Sequence, residues 1–162
     1  MAYVTPITWT TGQTVTAAEM NQDVRDNVSE VYSRVNTKTM MITLVYEDEA
    51  LTANDSTPIK TITIPASLNG ANLTDADAAI YTVGSAGLTT VRIYNVTDAV
   101  NVLSTNITID AGERTSYTAA TPPVINTTYD DVATGDRLAF YVKTIGTGAK
   151  GLDVLLVFTL QS

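Results

Sequence analysis

The sequence predicts a mainly β protein, in which an N-terminal extended arm and a single α-helix precede an antiparallel, jelly-roll-like β-sandwich. Three observations predict it. Threonine fills roughly one position in six of the 162 residues, several times its usual share, and joins Val, Ile and Tyr as side chains that fit a pleated, half-exposed surface. Hydrophobic residues make up 44% of the chain and charged residues 16%, a balance that belongs to a folded protein and not to a disordered one. Beyond residue 40, runs of β-formers recur between Gly, Pro, Asn and Asp clusters, at the spacing of a sandwich or jelly roll. The length suits one ordinary domain with an arm.

The arm is polar apart from isolated residues such as Trp9. A large aromatic in such a setting suits a buried anchor in a partner's pocket. At Thr16 a helix is predicted to begin, because Thr16 and Glu19 have the spacing of a capping box, each satisfying a backbone N–H left orphaned at the helix start. Val15 and Met20 stand at hydrophobic-staple spacing on either side of that boundary. Within the helix, Val24, Val28, Val31 and Val35 alternate in steps of four and three, and the same frame carries back to Asn21 and Ala17. The stripe suits a coiled-coil seam or packing on the chain's own domain; the polar opposite face and Asn21 at a core-type position favour self-association.

The same segment carries a string of spaced identities, TW-x-x-G-x-x-VTAA-x-MN-x-x-x-RDN: Thr8, Trp9, Gly12, Val15, Thr16, Ala17, Ala18, Met20, Asn21, Arg25, Asp26 and Asn27. It resembles the N-terminal segment of small structural proteins of tailed bacteriophages. The resemblance covers about the first fifth of the chain. It implies a non-enzymatic virion component made in the bacterial host cytoplasm. The component expected is a fibre or tail-tip appendage, trimeric as such appendages tend to be, attached by residues 1–36 and displaying residues 37–162, with host-surface glycan as a candidate ligand. Capsid decoration bridging shell subunits is the alternative role. A glycan-active enzyme is a third.

The β region is expected to hold strands at 40–46, 59–64, 79–83, 89–96, 100–109, 137–145 and 152–160. The glycine-rich stretch 146–151 is expected to join the last two as a hairpin. In the final strand, Leu152, Val154, Leu156, Phe158 and Leu160 form one apolar face, while Leu155 and Val157 make the other apolar too. A two-faced strand of this kind suits a subunit interface or a second layer of its own domain. The segment from Thr121 to Asp136, with Pro122 and Pro123, suggests an extended surface connection.

Several chemistries are excluded by composition. There is no His and no Cys, which removes imidazole-dependent triads and zinc sites, thiolate nucleophiles and disulfides. The formal charge of −8 argues against a nucleic-acid partner, which would need clustered basic residues. No apolar run approaches the length of a bilayer span, and the chain opens without the pattern of a secretory signal, so membrane insertion is not expected. No cofactor, metal or catalytic residue is assigned. A glycosidase would need two carboxylates across a groove, and Glu47, Asp48, Glu49, Asp75, Asp77, Asp130, Asp131 and Asp136 offer no spacing that selects a pair. Asp75 with Asp77, or Asp130 with Asp131, are candidate oxygen donors for a cation. Most tyrosines, Tyr46 and Tyr81 included, fall in strand-like runs and are expected in core or interface; Tyr117 and Tyr129, in loop-like stretches, are the candidate ligand surface.

Overall fold

A computed structural model describes residues 11, 12, 14 and 16–161. Trp9 and Val15 lie outside the described residues, as does the side chain of Val35. The chain divides into two compact units, residues 1–37 and 38–162.

The first unit holds helix α1, Ala17–Asn36. Its start is the reciprocal cap: the Glu19 N–H donates to the Thr16 hydroxyl at 3.2 Å, and Glu19 accepts from the Thr16 N–H at 3.0 Å and from its hydroxyl at 2.7 Å. The backbone bond and then the hydroxyl hold the Glu19 carboxyl below its usual range. Val24, Val28 and Val31 are 58%, 60% and 58% exposed, so the helix does not bury this apolar stripe within its own unit.

The second unit is a mainly β domain of curled antiparallel sheets in a half-barrel, a sandwich-like arrangement. One sheet has four strands: β1 (Thr37–Ala50), β11 (Lys150–Leu160), β3 (Ala71–Ala79) and β9 (Asp131–Val132), in that order. The other runs β2 (Lys60–Thr63), β10 (Arg137–Thr144), β4 (Thr89–Asn95) and β5 (Val100–Asn101), with β7 (Ile107–Ile109) also on β4. A two-stranded ribbon, β6 (Leu103–Thr105) with β8 (Val124–Ile125), completes it. Alternation builds the core. Leu152, Val154, Leu156 and Phe158 of β11, Leu138, Phe140 and Val142 of β10, and Val91 and Ile93 of β4 are all at most 2% exposed and belong to one apolar cluster.

Three strand expectations are corrected by the structure. The last two strands do not form a hairpin: β10 pairs with β2 and β4, whereas β11 pairs with β3 and β1 in the other sheet. Their connection is instead tied to the loop around Gly84, where the Ser85 N–H donates to the Thr147 carbonyl at 2.9 Å and the Thr147 N–H to the Ala86 carbonyl at 2.7 Å. The backbones meet so closely that a Cβ on Gly84 would stand 2.9 Å from the Gly146 Cα, so glycine is what lets the chain change layers there. The strand expected at 79–83 lies earlier, at Ala71–Ala79. A bulge sits where the pairing of Val157 with Asp75 passes to that of Phe158 with Leu73, and it breaks the alternation that marks a strand in sequence.

The stretch 100–109 is likewise three short strands. β5 and β7 both pair with β4, and the chain detours between them to pair β6 with β8. The surface connection from Thr121 to Asp136 carries β8 and β9. Tyr141, on the outward side of β10, packs under the Arg92 guanidinium, 3.9 Å from ring centroid to Cζ. Arg92 and Lys143 converge on Asp55 at 2.9 and 3.5 Å, so these two separated basic residues serve one surface ion-pair cluster.

Candidate functional site

The four-stranded sheet carries a groove whose lining spans β1, β11 and the end of β3. Along β1, Thr43, Val45 and Glu47 line it, and along β11, Gly151 and Asp153 do. Ala79 ends β3 and Tyr81 follows it, giving the far wall, to which Arg114 adds its side chain. The Arg114 guanidinium donates to the Tyr81 carbonyl, which fixes one of its five donors and holds the wall together. Tyr46 and Tyr81 are 73% and 53% exposed, so neither ring is spent on the core. The cavity measures about 330 Å³, at the lower end of the usual range for small-molecule sites.

Gly151 makes the floor. A Cβ at this position would stand 2.9 Å from both the Glu47 Cα and the Tyr81 Cβ, and its φ of +63° is a left-handed conformation that glycine adopts without penalty. Glycine here lets the Glu47 and Tyr81 walls close on the strand between them.

A second hollow of about 160 Å³ adjoins the first, sharing Ala79 and Asp153 and lined also by Met41, Asp77, Tyr117 and Leu155. Asp77 is buried and accepts from the Ser116 hydroxyl at 2.8 Å. Burial pushes its carboxyl up, the Ser116 bond opposes this, and the neighbouring Asp75 charge adds to the rise. One carboxylate oxygen of Asp153 is enclosed without a hydrogen-bond partner. Leu155 and Val157, the second apolar face of β11, are half-buried.

The two tyrosines singled out from sequence separate. Tyr117 is exposed at the second hollow, whereas Tyr129 lines a different one with Asp98, Val100 and Asp131. Several carboxylates fasten local structure: Asp136 accepts from the Ala133 N–H at 2.8 Å and from the Asn95 side-chain amide at 3.2 Å, Asp75 from the Ala76 N–H at 2.9 Å, and Asp130 from the Asn72 side-chain amide at 3.1 Å. Among the described residues, no group of three or more acidic side chains has the geometry to hold a metal. Tyr46, Tyr81, Glu47, Arg114 and Asp153 come from four separate stretches of chain, and sequence reasoning did not join them. The signal available was weak: an aromatic beside the acidic end of β1, and another just past β3.

No protein-family model, curated protein or solved structure matches this chain.

Proposed function

We propose that the chain is a non-enzymatic structural component of a tailed-phage virion. In this reading it is a fibre or tail-tip appendage that attaches through its N-terminal segment, self-associates as a trimer through α1, and displays a jelly-roll-like β domain to the host surface. The observation that carries the proposal is the capped helix with its exposed valine stripe, set in a segment that resembles phage structural proteins. An apolar heptad seam left in water is costly alone and is relieved by a second copy of the same helix. The β domain has its own core, all of it from Ile42 onward, as a displayed module requires. Trp9 is assigned the anchor into the neighbouring virion protein, and the half-buried Leu155 and Val157 a second contact between copies.

Electron microscopy of particles labelled with antibody to the β domain tests this. Label at the tail tip or fibres is the expected result. Label spread over the shell would replace the appendage by a decoration protein, and absence of the chain from purified particles would end the virion reading.

A further inference from the structure

We infer that the groove between β1, β11 and the Tyr81–Arg114 wall binds a neutral saccharide. The inference rests on the displayed-domain reading only for where such a ligand would be met; the groove itself is built entirely from this chain. A pyranose has an apolar face of C–H groups and a rim of hydroxyls, and a site for it needs flat apolar surface beside groups that accept and donate hydrogen bonds. Tyr46 and Tyr81 line the groove and are exposed where a fold would normally bury them, and their rings are assigned that surface. Glu47 and Asp153 line the same cavity and are the acceptors assigned to the hydroxyls. The Arg114 guanidinium, steadied on the Tyr81 carbonyl, has further N–H groups to donate.

Charge selects the class. Two acidic residues, Glu47 and Asp153, and one arginine, Arg114, line the groove, and Asp77 lines the adjoining hollow. This balance disfavours sialylated, sulfated or phosphorylated sugars by like-charge repulsion. A purely apolar ligand would leave the carboxylates desolvated and unpaired, at a cost in affinity. A neutral sugar satisfies both constraints.

The test uses the full chain and an array of neutral, sialylated and sulfated oligosaccharides, followed by calorimetric titration of the best-retained neutral one. Binding should persist between low and high salt. It should weaken roughly tenfold or more in Tyr81→Ala and in Tyr46→Ala, survive in Tyr81→Phe, and stay unchanged in Tyr129→Ala. Both tyrosines are exposed, so the variants should melt with the parent. Retention of no neutral saccharide, preference for anionic ones, salt-sensitive capture of basic probes alone, or indifference to both tyrosine changes would each overturn the inference. Cleavage of the bound saccharide would keep the site and sink the non-enzymatic reading; binding by a protein missing from virions would keep the site and sink the virion reading.

Discussion

The Ser116 hydroxyl donates to the Asp77 carboxylate at 2.8 Å and accepts from the Ala78 N–H at 2.9 Å. One buried side chain thereby fastens the short helical turn Ser116–Thr118 onto strand β3. Removing it leaves a carboxylate and an amide without their partner in a region largely closed to water. Ser116→Ala should cost about 1–3 kcal/mol, measured by urea unfolding at neutral pH.

Asp77 itself gives the opposite sign. Its carboxyl is raised, chiefly by burial, so the folded state holds the proton to higher pH than the unfolded chain does. Its contribution to stability is full below the unfolded value, about 3.9, and is lost as pH climbs through the raised folded value. Asp77→Asn keeps an acceptor for Ser116 and removes the charge. This variant should be more stable than the parent at pH 7, with the difference closing in unfolding curves taken below about pH 4.

Ala99 has a φ of 59° in the turn between β4 and β5, a left-handed conformation that costs a residue with a Cβ roughly 1 kcal/mol. Ala99→Gly should therefore raise stability by up to about 1 kcal/mol, less whatever glycine's freer unfolded chain returns. Chemical denaturation of the two proteins side by side measures it.

What could be foreseen from sequence divides along physical lines. The helix start was legible because a capping box is local: Thr16 and Glu19 stand three residues apart and need nothing distant to complete them. Strands β10 and β11 were legible because each buries a continuous apolar face, and β4 because Val91 and Ile93 alternate toward the core. Strand β3 escaped because its core positions are filled by Ala71, Leu73, Ala76 and Ala78, small residues for the most part, interrupted by a bulge and by aspartates that usually mark turns. The hairpin expectation failed because glycines between two strands report only that the chain bends; here the connection crosses to the other sheet, with Gly146 packed against Gly84. The groove had only a weak signature, an aromatic beside the acidic end of β1 and another just past β3. Its walls meet only when β1, β11 and the end of β3 lie side by side.

Because the apolar cluster begins at Ile42 and runs to Phe158, a chain lacking residues 1–36 should fold. Its cooperative thermal transition should match that of the full chain, and it should fail to enter particles when supplied in trans. An insoluble or non-cooperative product would mean that the helix belongs to the domain's core.

The central claim is that α1 joins copies of the chain through its valine stripe, and sedimentation equilibrium of the full chain beside the double variant Val28→Asp, Val31→Asp tests it most directly. Burying unpaired carboxylates in the seam would cost several kcal/mol, so the parent should sediment at three times the mass of one chain and the variant lower, with the β-sheet circular dichroism unchanged. A parent at the mass of one chain, or a variant at the parent's mass, would contradict the account.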